Sequence, residues 1–236
     1  ALGDQAIERL KKENIDCQQV ARDSEQSSGV ALINVDQSGE NQIVVVPGAN
    51  ATLSTEHVEN AFSNITKGSI ILLQLEIPLA SVARAIELGF ENDCRVILDP
   101  APAQVLSPSL LGNVFLLTPN EAEAEILSGI RVTGENSAKE AASALLELGV
   151  DNLAITLGSG GVLLASKNEH RLIPTIEVEA IDTTGAGDCF NGSLASELAK
   201  GNELSQSVEF ACRVASMSVT RAGAQDAMPF AHEVKI

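Results

Sequence analysis

Two short segments constrain this chain more than any other feature: SIILLQL (69–75) and CRVILDP (94–100) carry apolar residues on both faces. A strand with one face in water alternates apolar and polar residues. A strand without that alternation needs cover on both sides, which crossover helices supply to a parallel sheet. The segment between them, PLASVARAIELGF (78–90), reads as such a helix. The same rhythm continues through VFLLT (114–118), a helix over 121–129, a helix over 136–148, and the strands NLAITLG (152–158) and GVLLAS (161–166). Helices over 186–200 and 203–217 close the chain, with Phe190, Leu194 and Leu198 at helical spacing. The reading is an α/β fold: a doubly wound, mostly parallel sheet sandwiched by helices.

The first third departs from that rhythm. ALGDQAIERLKKEN reads as a helix with Ile7 and Leu10 on one face, and residues 55–62 as another. Between them, GVALINVD (29–36) and QIVVVP (42–47) flank Gln37-Ser38-Gly39-Glu40 and read as a hairpin, an antiparallel edge or lid. No repeat or linker interrupts the 236 residues, which therefore read as a single domain over 1–236.

Composition excludes several functions. Fifteen Lys and Arg against 32 Asp and Glu give a net charge of −17, which repels phosphate backbones and anionic membranes. With six Phe, no Trp and no Tyr, there is no stacking platform for single-stranded nucleic acid. Cys17, Cys94, Cys189 and Cys212 form no CxxC pair, so neither a zinc cluster nor a secreted disulfide framework is expected. A cytoplasmic protein with reduced thiols fits best. No apolar run approaches the ~18 residues of a membrane span.

Chemistry concentrates in AIDTTGAGDCFNGSLASELAKG (180–201). A strand end meets Gly185-Ala186-Gly187, and a helix follows at once. Glycines let the backbone turn several N–H groups toward one point, and the helix adds its positive dipole end: an anion hole suited to a phosphoryl group. Asp188, in the first turn, can take a proton from an alcohol beside that hole. Taken alone, Asp188 is equally an N-terminal acid that complements the dipole. A dinucleotide GxGxxG would need glycine at Phe190, and no Walker GK[ST] is present. Cys189, in the same turn, could in principle be an activated thiol, but no histidine adjoins it and a small buried residue is the simpler reading. Two further loops stand out. In TPNEAEAE (118–125), Thr118, Pro119 at N1 and Glu121 at N3 read as a capping box. In TLGSGG (156–161) two strands are joined by a glycine-rich turn, and a GxSxG elbow fails because position 157 is Leu.

Asp182-Thr183-Thr184-Gly185-Ala186-Gly187-Asp188-Cys189-Phe190-Asn191-Gly192 resembles the second signature of the ribokinase-like (PfkB-type) carbohydrate kinases. The resemblance implies ATP-dependent phosphorylation of a sugar hydroxyl. Asp188 would be the catalytic base and would also touch the sugar, and Gly185, Ala186 and Gly187 would form the anion hole. Asn120 and Glu123 match the family's NxxE element, which orders Mg²⁺ and phosphates. Thr156, Leu157, Gly158, Ser159, Gly160 and Gly161 match its ATP loop, joined at the nucleotide by Gly187, Asp188 and Cys212, the last standing where the family commonly has a histidine. SVTRAGAQDAMP (218–229) is similar to the family's C-terminal loop beside the adenine and a monovalent cation. The implied K⁺ ligands are Asp182, Thr184, Ser218, Arg221, Gly223 and Ala227.

SSGVALINVDQSGENQIVVVPGANATLS (27–54), LLQLEIPL (72–79), DPAPA (99–103) and TPNEAEAEILSGI (118–130) resemble the ribose-phosphorylating branch more than its fructose or adenosine relatives. On that likeness Glu76 would contact ribose (a strand-end acid suits either role), the product would be ribose 5-phosphate, and the 29–47 hairpin would be a lid that also forms a homodimer contact. The resemblance runs from residue 1 to about 230. Two family features lack a counterpart: the opening strand with a sugar-holding Asp, and a Gly-Gly-x-x-Asn motif. The only Gly-Gly is Gly160-Gly161. The expectation is a chain truncated at its N-terminus, with poor stability and no turnover by itself. Three alternatives stay open: another sugar, a nucleoside acceptor, or an inactive remnant that binds nucleotide only.

Overall fold

The computed structural model describes residues 2–35 and 41–234. By contacts the chain divides into two units, Ala1–Ile65 with Glu76–Ala85, and Thr66–Leu75 with Ile86–Ile236.

The first unit contains α1 (Leu2–Lys12), the strands β1 (Val30–Val35) and β2 (Asn41–Val46), and α2 (Thr55–Phe62). β1 and β2 pair antiparallel, with Val30 opposite Val46 and Val35 opposite Asn41. This is the expected hairpin; the expected turn at Gln37–Glu40 lies outside the described residues. Leu32, Val44, Val45 and Val46 are all exposed. Ser54 caps α2, accepting from the His57 N–H while His57 Nδ1 accepts from the Ser54 N–H. The helix starts there because that exchange satisfies donors the first turn leaves open.

The second unit is built on a six-stranded sheet in chain order, β3 (Ile70–Leu73), β4 (Arg95–Leu98), β5 (Leu116–Leu117), β6 (Asn152–Thr156), β7 (Val162–Ser166) and β8 (His170–Ile173). β3 to β6 run parallel, and β7 and β8 add antiparallel. The helices are α3 (Leu79–Glu91, whose first half clusters with the other unit), the short α4 (Pro108–Leu111), α5 (Glu121–Ser128), α6 (Glu135–Glu147), α7 (Ala186–Ala199) and α8 (Leu204–Ser218).

Double-sided burial, expected of both apolar strands, is met at β4 but only in part at β3, the edge strand, where Ile71 alone of the four residues is buried. Val96, Ile97 and Leu98 of β4 are at most 1% exposed. Ile97, Leu116, Ala154, Val162 and Ile173 meet Phe190, Leu194 and Leu198 of α7 and Val208 and Ala211 of α8. The alternate positions face the other way: α6 lies along β6 and β7, and Gly89 lets α3 approach so closely that a Cβ there would stand 2.7 Å from Ile71 Cδ1 and Val96 Cγ2. Each fully buried side chain such as Leu194 contributes about 1.5–3 kcal/mol.

Four elements differ from expectation. The strand expected over 114–118 is regular only at Leu116–Leu117, α4 and β8 have no counterpart in the sequence reading, and among the described residues no strand leads into Gly185. The β8 sequence, His-Arg-Leu-Ile, mixes charged and apolar residues, and only Ile173 is buried.

Candidate active site

The loops after β4, β5 and β6 all leave from the C-terminal ends of parallel strands, the end at which open α/β sheets bind ligands. After β5 the chain stays extended. The Thr118 N–H donates to the Leu98 carbonyl at 2.9 Å, and the Thr156 N–H donates to the Pro119 carbonyl at 3.0 Å. A parallel bridge thus pairs Asn120 with Thr156 and joins the first residue of the NxxE element to the first residue of the TLGSGG loop.

The helix begins at Glu121, as expected, but that extension moves its cap two residues beyond Thr118. Thr118 does not cap α5: it is 3% exposed, and its hydroxyl faces the Leu98 carbonyl at 3.4 Å. Asn120 is the cap. Its Oδ1 accepts from the Glu123 N–H at 2.9 Å, and Glu123 Oε2 accepts from the Asn120 N–H at 2.8 Å. The capping box is therefore built from the two residues matched to NxxE. Burial pushes the Glu123 carboxyl above the ordinary range, outweighing the bonds from Asn120. A partly desolvated carboxylate beside a helix N-terminus fits a hard divalent cation such as Mg²⁺ that also carries phosphate oxygens.

The 156–161 loop folds on itself. The Leu157 N–H donates to the Gly161 carbonyl, and a 3₁₀ turn spans Gly158–Gly160, with Ser159 at its centre and exposed. Gly158 and Gly161 have φ of +52° and +91°. At Gly161 any Cβ would lie 2.2 Å from the Ile173 carbonyl oxygen, so that position requires glycine.

Gly185 opens α7 in the left-handed region, φ +76°. Cys189 makes the first four-residue helical bond, to the Gly185 carbonyl at 2.9 Å. The N–H groups of Gly187 and Asp188 therefore belong to the open first turn. A Cβ on Gly187 would meet nothing within 4 Å, and Asp188 is exposed. Ala186 is tied back to the Thr183 carbonyl at 3.2 Å, which leaves Gly187 and Asp188 as the uncommitted donors of this turn. A cleft of about 250 Å³ runs from Asp188 along α7, lined also by Ser193, Ser196, Phe210, Met228 and Val234.

Of the residues matched to a cation site, Asp182, Thr184 and Gly223 are joined by hydrogen bonds. Asp182 Oδ1 accepts from the Thr184 N–H and Oδ2 from the Gly223 N–H, both at 2.9 Å, and these bonds hold its carboxyl below the usual range. The Ile181 and Asp182 N–H groups both donate to the Val219 carbonyl. Ser218 and Ala227 are buried, and Arg221 pairs with Glu233 at 2.7 Å. Among the described residues no three His, Cys, Asp or Glu side chains cluster. A single carboxylate without clustered nitrogen or sulfur ligands among the described residues fits K⁺ better than a transition metal.

Two residues fall elsewhere. Cys212 is 4% exposed within the α7–α8 core, and burial pushes its thiol up to about 12, so it is a packing residue with no open face. Glu76 is exposed directly after β3, in the segment that clusters with the first unit. Cys189 is buried beside Val214 and Val234, its thiol raised by burial, which removes the activated-thiol reading. Sequence reading gave no role to Asp99 or Asn191, although Asn191 Nδ2 donates to Asp99 Oδ2 at 3.0 Å in a buried setting. Polar residues at an apolar strand end and on a core-facing helix turn were the available signal.

Residues 1–231 match the family described as pfkB family carbohydrate kinase. The chain is 40% identical over 222 residues to a ribokinase of Haemophilus influenzae, covering 94% of this chain and 72% of that protein. It superposes on the crystal structure of a ribokinase from Thermotoga maritima with a TM-score of 0.86 at 39% identity, over 98% of this chain and 75% of the other. A ribokinase of Arabidopsis thaliana, solved in complex with ribose and ATP, matches with a TM-score of 0.76 at 30% identity, over 87% of this chain and 67% of that one.

Proposed function

The chain belongs to the pfkB family of carbohydrate kinases, and from that premise we propose that it moves the terminal phosphoryl group of ATP onto a hydroxyl of ribose. The observation that carries the reading is the open first turn of α7, where the donors of Gly187 and Asp188 adjoin an exposed carboxylate.

Asp188 takes the proton of the sugar hydroxyl as its oxygen closes on phosphorus. The new O–P bond forms as the bridging P–O bond of ATP breaks, and ADP leaves. Charge growing on the transferred group faces the N–H groups and positive end of α7, which are already oriented before reaction. The Asn120–Thr156 bridge supports the nucleotide side, with Gly158 to Gly161 offering a close backbone approach. Mg²⁺ held near Glu123 would neutralise phosphate charge, and K⁺ at Asp182, Thr184 and the carbonyls of Ser218, Arg221, Gly223 and Ala227 would brace the loop beside the anion hole. Glu76 is read as a ribose contact, the β1–β2 hairpin as a lid and homodimer contact through its exposed valines, and 1–236 as one domain of the family. The four free cysteines support a reducing, cytoplasmic setting.

The test is coupled ADP release by the full gene product over a panel of ribose, fructose and nucleosides. Ribose should give the highest kcat/KM. A preferred fructose or nucleoside overturns the substrate, and ADP release that no sugar stimulates overturns the activity.

A further inference from the structure

Asn191 lies three residues beyond Asp188 on α7 and is 2% exposed, between the core residues Phe190 and Leu194. Its Nδ2 reaches across to Asp99 Oδ2 at the C-terminal end of β4, 3.0 Å away and itself only 9% exposed. Its Oδ1 is buried and has no hydrogen-bond partner among the described residues. For stability alone this is a poor arrangement, because an apolar pair at both positions would bury no unpaired oxygen.

What the arrangement supplies is direction. The apolar contacts of Phe190, Leu194 and Leu198 hold α7 against the sheet but tolerate rotation and sliding, since hydrophobic burial is non-directional. A hydrogen bond is tight in distance and angle. One turn separates Asn191 from Asp188, so fixing the first fixes where the second points on a rigid helix.

We propose that Asn191 and Asp99 form a positioning pair that locks the rotation of α7 on the sheet and so aims the Asp188 carboxylate at the sugar hydroxyl and the Gly187 N–H at the transferred phosphoryl group. This rests on the kinase reading above, with neither residue touching substrate.

The experiment compares the full gene product with Asn191→Leu, Asn191→Ala and the exchanged pair Asp99→Asn/Asn191→Asp. Three quantities are read: kcat, the KM for ATP, and hydrogen exchange over residues 186–190. Asn191→Leu takes the donor from Asp99 and should melt below the parent while staying folded at the assay temperature, lose at least tenfold in kcat, keep its KM for ATP within about threefold, and exchange faster over 186–190. Asn191→Ala repeats the measurement should leucine prove too large. The exchanged pair, which restores one hydrogen bond with its direction reversed, should recover most of the kcat. An Asn191→Leu enzyme with parental kcat overturns the proposal, as does an exchanged pair that melts like the parent but stays slow. A parent that phosphorylates no sugar sinks the kinase reading instead. In that case unchanged exchange over 186–190 in Asn191→Leu overturns the anchoring on its own.

Discussion

Asp182 Oδ2 accepts the Gly223 N–H at 2.9 Å and thereby staples the segment before α7 to the loop after α8. Because this bond and that from Thr184 lower the Asp182 pKa, the carboxylate contributes stability that is fully present above its unfolded value near 3.8. That contribution disappears as pH falls through the lower folded value. Asp182→Asn should therefore flatten the acid side of a melting-temperature profile taken below pH 5, and should also abolish stimulation by K⁺ over Na⁺ or choline. Parental K⁺ stimulation in the variant would remove Asp182 from the cation site.

Asp188→Asn keeps the helix start and the shape of the side chain but cannot accept a proton. Turnover should fall by about 10²–10⁴, with ATP affinity close to parental by calorimetry. Near-normal turnover would mean that another group is the base.

Two glycines should respond oppositely to alanine. Gly161→Ala drives a methyl to within 2.2 Å of the Ile173 carbonyl oxygen at a φ of +91°, so backbone strain of about 1–3 kcal/mol adds to a clash that no rotamer relieves. A large drop in melting temperature is expected. Gly187→Ala meets open space and gains helix propensity, up to about 1 kcal/mol. It should melt at or above the parental temperature yet transfer phosphate at least tenfold more slowly, since the methyl stands where the phosphoryl group passes. A fast Gly187→Ala enzyme would argue against the anion hole.

Glu233 accepts from Arg221 and from the Phe230 N–H, and these contacts lower its pKa. Its contribution is present above the unfolded value near 4.5 and lost as pH falls through the folded one. Glu233→Gln at pH 7 should raise hydrogen exchange over 228–234, along the cleft beside α7, while the six-stranded sheet stays protected. Exchange identical to the parent would show that the pair does not hold this segment.

Periodicity made most of the second unit legible, because its strands are short, apolar and separated by helices with clear burial faces. The signature residues 182–192 were legible by likeness; that the structure joins Asp182 to Gly223 and Asn120 to Thr156 is a tertiary relation the likeness did not state. Tertiary relations were not legible. The α5 cap was read at Thr118 because Thr-Pro is a strong local start signal, but sheet pairing holds the chain extended to Asn120. β8 is defined by its partner β7 rather than by its own mixed sequence. Cys212 matched a nucleotide position by likeness, whereas the packing of α8 turns it into the core. The contact between Asp99 and Asn191 joins residues 92 apart in sequence and leaves no local pattern.

The bridge between Asn120 and Thr156 has a thermodynamic consequence. Two loops that would each have to be ordered around a triphosphate are already fixed to one another by a main-chain ladder, so their conformational entropy was lost when the sheet formed. Nucleotide binding should then retain more of its contact free energy as affinity, with little ordering of this side of the site left to oppose it.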